Sequence, residues 1–375
     1  MRVAVVGAGI TGLSVAFHLA ESGADVIVYE RTGIGSEASG VQPGGVRQQW
    51  GTRVNCLLAR ESVAFYRNVV ERLEARTKPR LDACGYLFLA YSPERLGSLA
   101  SDVALQNETG VPSQILTPAE IAGLIPGIEV DDVVGAAYCD EDGYFDQPQG
   151  VVEAFAEACR RRGVAIEVAQ VTDLAPLAGA WSVELRGGET RGADAVVVAA
   201  GYDTPALLTG LAIDVPIAKE ARYLLLSDPI QERLLEPLVV SAERHFAAKQ
   251  LANGRILASD LAADGDPERN AAAWRGHVKA TARRLLPVLE YVTYPIVVEG
   301  FYDVTPDHQP LLGPVPEHDG LWIAAGFSGH GFMVAPAIGR ILAEALLTGR
   351  NDPALDLFAL DRFERGHLLP ELQIV

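Results

Sequence analysis

The chain has 375 residues, of which 49% are hydrophobic and 21% charged, so it can bury a large core in one to three domains. Its formal charge of −18 argues against nucleic acid or an anionic membrane surface as a partner and otherwise serves solubility. The four cysteines, Cys56, Cys84, Cys139 and Cys159, are scattered without a CxxC pair and are expected to be reduced thiols in a cytoplasmic protein.

The first element is an apolar strand entered directly from Met1 and Arg2, so no signal peptide is expected ahead of the fold. The stretch VAVVGAGITGLSVAFHLAESGADVIVYE (3–30) reads as strand, glycine turn, helix and second strand ending in an acid. Gly7 permits the tight turn, Gly9 lets the backbone approach a pyrophosphate, and Gly12 lets the helix pack closely. Ile10 and Thr11 open that helix. Glu30 ends the second strand 18 residues beyond Gly12, where a carboxylate bonds ribose hydroxyls, and Arg31 follows it. The pattern predicts a dinucleotide site.

Residues 55–76 carry apolar positions at helical spacing, 85–92 read as a strand, and 117–127 as a short helix between prolines. A helix is expected from near Pro148 to Gly163, followed by a strand. Residues 181–201 read as a hairpin running into a buried strand, with Ala199, Ala200 and Gly201 as a close-approach turn. Antiparallel strands and one helix (271–289) occupy 219–299. Strand, glycine loop and long helix then follow over 321–349. No apolar run is read as a membrane span.

That second glycine loop, GFSGHGFM (326–333), presents free N–H groups and a positive dipole end at the start of a helix. Two such sites far apart suit a long ligand with two electron-rich regions. FAD fits, with its pyrophosphate on the first loop and the flavin pyrimidine on the second, where the dipole favours the reduced ring. An NAD(P)-linked enzyme using the first loop alone is the weaker reading, because no second GxGxxG appears.

These residues resemble the D-amino-acid oxidase (DAO) superfamily of FAD-dependent oxidoreductases, in the branch of monomeric sarcosine oxidase, the sarcosine oxidase beta subunit and L-proline dehydrogenase subunits. The resemblance rests on the N-terminal fingerprint, SGVQPGGVRQQW (39–50), CGYLFLA (84–90), DGYFDQPQGVV (142–152), VVVAAG (196–201), FYDVTPDHQPLLG (301–313) and GFSGHGFMVAPAIG (326–339). It implies an α/β fold: a glutathione-reductase-like FAD-binding Rossmann domain with an inserted antiparallel-sheet (α+β) substrate domain. The expected bounds are 1–80, 148–218 and 300–375 for the FAD domain and 81–147 and 219–299 for the substrate domain.

The same likeness implies that Ser39, Gly40, Gly44, Gly45 and Val46 line the flavin and pyrophosphate. It puts Val171 against the adenine through its backbone and brings Ala200 and Gly201 close to the dinucleotide. Gly329, His330, Gly331, Phe332 and Met333 would meet the flavin. Arg47 holds the family's carboxylate-binding position; the alternative is a surface ion pair. Tyr302 matches a pocket tyrosine, or is a core tyrosine beside the flavin. His330 offers its backbone, or a side-chain hydrogen bond. Asp307 is read as fixing a turn.

Three departures from the family pattern carry expectations. Gly300 stands where the monomeric oxidase attaches its flavin to a cysteine, so FAD is expected to be non-covalent. Met333 replaces a carboxylate-binding lysine, which leaves Arg47 to anchor the anion. Ile256 aligns with an oxygen-activating lysine, which favours a dehydrogenase; the only lysines are Lys78, Lys219, Lys249 and Lys279. The histidines show no metal spacing, and no metal is expected. The expected activity is oxidation of the C–N bond of a small amino acid or secondary amine (sarcosine, proline or glycine type), with the imine hydrolysed. The alternative is a non-catalytic flavin-binding assembly factor or electron-carrying subunit. A homo-oligomer, or a partner subunit that accepts electrons, is compatible with either.

Overall fold

A computed structural model describes residues 1–373. Its first layer is a six-stranded sheet in the order Leu311–Pro314, Leu321–Ala325, Ala195–Val198, Arg2–Val6, Asp25–Glu30, Ala165–Val168. All neighbours run parallel except the edge pair Leu311–Pro314 and Leu321–Ala325. These strands are continuous Val, Ile and Ala runs because both faces are covered. Helices Ile10–Glu21, Arg53–Arg67, Pro148–Arg161 and Gly331–Thr348 bury one face. A three-stranded meander (Val171–Leu177, Ala180–Leu185, Thr190–Ala193) buries the other around Trp181.

The second large layer is an eight-stranded, mostly antiparallel sheet. Its order is Ile296–Val304, Ala218–Leu226, Ile256–Asp260, Phe246–Gln250, Leu238–Ser241, Tyr86–Ala90, Gly135–Cys139, Gln114–Leu116. One face packs beneath helices Pro118–Leu124 and Pro267–Leu285. Side chains alternate between faces along a strand. Leu225, Ala258 and Ile256 share the helix-covered face, whereas Tyr302, five residues on from Val297, the partner of Leu225, stands on the opposite one.

The element reading is close in most places, and its misses have local causes. The helix expected over 55–76 breaks at Asn68 into Arg53–Arg67 and Val69–Leu73. No helix is expected at 93–108, yet Pro93–Glu108 forms one, started by Ser92, whose hydroxyl accepts from Arg95 N–H at 3.2 Å, with Pro93 at the first position. The helix expected at 271 starts at Pro267, because the Asp266 carboxylate caps Glu268 N–H at 2.9 Å.

Helix Gly331–Thr348 is long and apolar enough to cross a membrane by length and composition alone. Here it is a core element, buried against Ile10–Glu21. A Cβ at Gly339 would lie 2.3 Å from Ser14 Oγ and 2.7 Å from the Ser14 backbone, so only glycine allows this crossing. Ser14 Oγ then donates to Ala335 O at 2.8 Å. Pro336 removes one helical N–H and so frees the Phe332 carbonyl four residues earlier; the Tyr66 hydroxyl donates to that carbonyl.

Candidate cofactor cleft and active site

Central strand Arg2–Val6 pairs with Asp25–Glu30 on one side and Ala195–Val198 on the other. The chain order reverses there, so a crevice opens beyond the carboxyl ends of the strands. A cleft of about 380 Å³ occupies it. Gly7 has φ +108, and a Cβ there would sit 2.3 Å from Ala199 O. A Cβ on Gly12 would sit 2.1 Å from Gly7 O. Gly12 therefore protects the turn itself, and with Ala199 Cβ 3.3 Å from the same point it also allows the close helix–sheet approach expected of it. Ile10 N–H is taken by Ser39 Oγ at 3.0 Å. The first intrahelical bond is Leu13 N to Gly9 O, which leaves Thr11 and Gly12 N–H as the free donors at the positive end.

Glu30 stands at the end of the second strand, but its carboxylate is already engaged: Oε2 accepts from Ala8 N at 2.9 Å and Oε1 from Thr32 N at 3.0 Å. Oε1 also accepts from Thr32 Oγ1 at 3.2 Å, so Oε2 is the oxygen that keeps a lone pair for a hydroxyl in the cleft that Glu30 lines. Arg31 bridges Asp203 (2.6 Å) and Glu37 (2.7 Å) at the mouth. Val171 lines the far end beside Glu30, and Ala200 and Gly201 line the side facing Gly7.

At the other end of the cleft lies the loop 326–330. Gly326, Ser328 and Gly329 all have positive φ. A Cβ at Gly329 would fall 2.2 Å from the Tyr302 ring, so the loop lies flat on that tyrosine only as glycine. Asp303 pins the loop: its Oδ2 accepts from Gly326 N at 2.7 Å and its carbonyl from Ser328 N at 3.0 Å. Burial pushes the Asp303 carboxyl up to about 6. Met333 N bonds His330 O, which leaves Gly331 and Phe332 N–H at the free helix end.

A smaller cavity of about 60 Å³ adjoins this end, sharing Gln42, Tyr302, Gly329 and Phe332 with the cleft. Arg47 forms its wall. It is 2% exposed and has no carboxylate within ion-pair distance among the described residues, so the surface ion-pair alternative fails. Its two η nitrogens donate to Gln49 O and Gln373 O. The guanidinium lies 3.7 Å from the Trp50 ring centroid, and Nε has no partner. Burial pulls the Arg47 pKa down, opposed by Tyr86, Glu371 and Asp142 around it. A buried cation without a counter-ion is costly, and an incoming anion relieves that cost.

His330 is buried with its ring 4.9 Å from Trp50. Burial, then the nearby Arg47 charge, pulls its pKa down to about 3, so the imidazole is neutral. One ring nitrogen bonds the Ser328 backbone, while Nε2 has no partner. Asp142 organises the loop behind Arg47, accepting from Gln48 N at 2.9 Å and from Gln49 Nε2 at 3.2 Å; burial raises its carboxyl to about 6.

The expected residues thus divide between the cavities. Gly7, Gly9, Ile10, Thr11, Glu30 and Arg31 line the large cleft. So do Ser39, Val171, Ala200, Gly201 and Gly331. Gly45, Arg47, His330 and Met333 line the small one, and Tyr302, Gly329 and Phe332 line both. Gly12, Gly40, Gly44 and Val46 line neither. Gly40 and Gly44 are backbone necessities, with a Cβ falling 2.2 Å from Gly35 O and 2.3 Å from Phe145 O respectively. Ile256 lies under the helix Pro267–Leu285, on the sheet face opposite Tyr302. No side chain at that position reaches the cleft, so the absence of lysine there says nothing about oxygen.

A profile of the DAO family, described as FAD dependent oxidoreductase, matches residues 2–345. The chain belongs to the DAO family of FAD-dependent oxidoreductases. Among curated relatives, glycine oxidase of Geobacillus kaustophilus is 29% identical, with 96% of each chain covered. Rat mitochondrial dimethylglycine dehydrogenase is 28% identical over 95% of this chain, which spans only 44% of that protein. Among solved structures, L-proline dehydrogenase from P. horikoshii superposes with a TM-score of 0.90 at 27% identity, covering 98% of this chain and 99% of that one.

The cleft fits the DAO-family cofactor on its own evidence. Free N–H donors stand at both ends, and the backbone at Gly7 and Gly329 leaves no room for a side chain. Its size falls in the range of cofactor sites. Sequence reasoning missed Asp303, Asp142, Tyr86 and Gln373. Each acts through partners distant in the chain; Asp303, Asp142 and Tyr86 do lie in segments that carry the family resemblance, but nothing local assigns them a role, and Gln373 lies in no such segment.

Proposed function

We propose that this flavoenzyme oxidises the C–N bond of a small carboxylate-bearing amine of sarcosine, proline or glycine type, with the imine product hydrolysed in water. The observation that carries this reading is Arg47, a buried cation without a carboxylate partner, on the wall of a small cavity that opens onto the ring end of the FAD cleft. Bound FAD supplies the hydride acceptor at N5.

The chain's own residues do the rest. Arg47 takes the carboxylate through its remaining donors, in the planar geometry that suits two oxygens. Trp50 holds the guanidinium in place. The neutral His330 offers Nε2 as an acceptor for the amine N–H, which keeps the nitrogen lone pair available. Tyr302 and Phe332 close the junction between the cavities and exclude water. None of the four free cysteines lines either cavity, which supports non-covalent FAD. We assign residues 1–80, 148–218 and 300–375 to the cofactor and 81–147 and 219–299 to shaping the substrate side, with the paired strands Ala218–Leu226 and Ile296–Val304 of the eight-stranded sheet running across two of these bounds.

Anaerobic mixing of the FAD-loaded protein with a panel of small amines tests the reading. Bleaching of the flavin absorbance by a carboxylate-bearing amine is expected. No bleaching by any member would favour the non-catalytic flavin carrier instead.

A further inference from the structure

The segment Glu371–Gln373 lies far from both glycine loops in the sequence, yet it supplies one of the two anchors of Arg47. Gln373 O accepts from an Arg47 η nitrogen. The other anchor, Gln49 O, is only two residues from Arg47. Without Gln373, the Gln49 carbonyl would be its one remaining hydrogen-bond anchor, beside the stacking on Trp50.

The segment is itself held by a set of hydrogen bonds. The Glu371 carboxylate is fully buried. It accepts from Gly51 N at 3.1 Å, Thr52 Oγ1 at 3.1 Å, Asn55 Nδ2 at 2.9 Å and Gln373 N at 2.9 Å. Glu371 N donates to Asp307 O at 3.1 Å. The Gln373 side chain bridges to helix Pro93–Glu108, accepting from Arg95 Nη2 at 3.0 Å and donating to Asp102 Oδ2 at 2.5 Å. Leu372 between them points outward, 82% exposed. The residues on either side are thus turned inward by polar bonds and not by apolar burial. Glu371 also places a buried negative charge near Arg47 without touching it, which offsets the cation while leaving its donors free for a ligand.

We propose that Glu371–Gln373 is a positioning strap for the anion-binding arginine: it sets the angle at which Arg47 meets the substrate carboxylate, and so governs affinity for that group. This rests on the assignment of Arg47 to the carboxylate. A strap of this kind acts on an interaction needing two aligned N–H donors, where a small rotation is enough to lose one of them.

The test uses the FAD-loaded protein and three strap variants: Gln373→Gly, Glu371→Gln, and a chain ending at Pro370. Two quantities are read. One is acetate affinity, from its perturbation of the flavin spectrum. The other is kcat/KM for the amine found by the bleaching screen, measured both alone and in an Arg47→Met background. The expected result is acetate affinity and kcat/KM lowered about tenfold, mainly through KM, with FAD content unchanged. In the Arg47→Met background the same strap changes should alter kcat/KM less than about twofold, because the group they orient is gone.

If acetate affinity is unchanged in Gln373→Gly and Glu371→Gln while Arg47→Met weakens it, the strap proposal is overturned and the Arg47 assignment stands. If Arg47→Met itself leaves acetate affinity unchanged, the assignment fails and the strap with it. Additive effects in the double variants, or loss of FAD from Gln373→Gly, would show a general structural role and also overturn the proposal.

Discussion

Replacing Arg47 with methionine isolates the charge from the packing. Methionine keeps an unbranched chain against Trp50 and Phe88, whose ring centroids lie 3.7 and 5.3 Å from the guanidinium carbon. It removes the only cation lining the small cavity among the described residues. A hydrogen bond to a charged group contributes about 1.5–3 kcal/mol. A buried charge left without its partner costs about 3–5 kcal/mol. The second figure governs here, because neutral His330 cannot substitute for the lost cation. We therefore expect kcat/KM for a carboxylate-bearing amine to fall about 10²- to 10⁴-fold. Folding stability should move far less. The variant leaves the Gln49 and Gln373 carbonyls unpaired but also removes a buried cation that has no carboxylate beside it. The assay is steady-state kcat/KM with flavin content and Tm measured on the same preparation. A value within about threefold of the parent, at full FAD loading, would refute the assignment.

Further outcomes follow from the same geometry. Gly12→Ala drives a Cβ into the Gly7 carbonyl and should yield protein with little bound FAD, read as the ratio of flavin to protein absorbance; full loading would contradict the role given to that contact. Lys249 is buried with no partner for Nζ, and burial lowers its pKa to about 7. Its folded-state value lies below the unfolded one, so the folded state loses stability as pH falls from the unfolded value down to about 7. Lys249→Met should therefore stabilise the protein more at pH 7 than at pH 9, by about 2 kcal/mol in denaturant unfolding. Asp307→Ala breaks the fully buried pair with Arg362, two contacts at 2.9 Å, and should cost about 3–5 kcal/mol in the same assay. Because His330 already titrates near 3, His330→Asn should lower kcat/KM without moving any limb of its pH profile between about 5 and 9.

The parts legible in the sequence are those written in adjacent residues. GAGITG between an apolar strand and a helix, and GFSGHGF before the long helix, announce backbone geometry through glycine itself, and the structure confirms each turn by its φ and by the space denied to a Cβ. Arg47 is legible as a candidate from its neighbours, but its state is not. Whether a guanidinium is solvated, ion-paired or buried alone depends on Gln373 and Glu371, hundreds of residues away. Asp307 shows the same limit. Its carboxylate accepts from Gln309 N–H at 3.2 Å, which marks the expected turn, whereas its pairing with Arg362 leaves no trace in local spacing. Ile256 fails for a different reason: a shift of one residue on a strand exchanges faces, and a sequence alignment does not resolve that parity.

The close crossing of Gly339 over Ser14 fixes more than a core contact. It locks together the two helices whose amino ends bracket the cleft, so the distance between those ends is set by covalent geometry and interior packing and not by loop flexibility. The molecule behaves as a caliper with a single setting. A ligand that reaches only one of those ends, such as an adenine nucleotide, forgoes the donors at the other, so the frame favours a longer ligand before any side chain takes part.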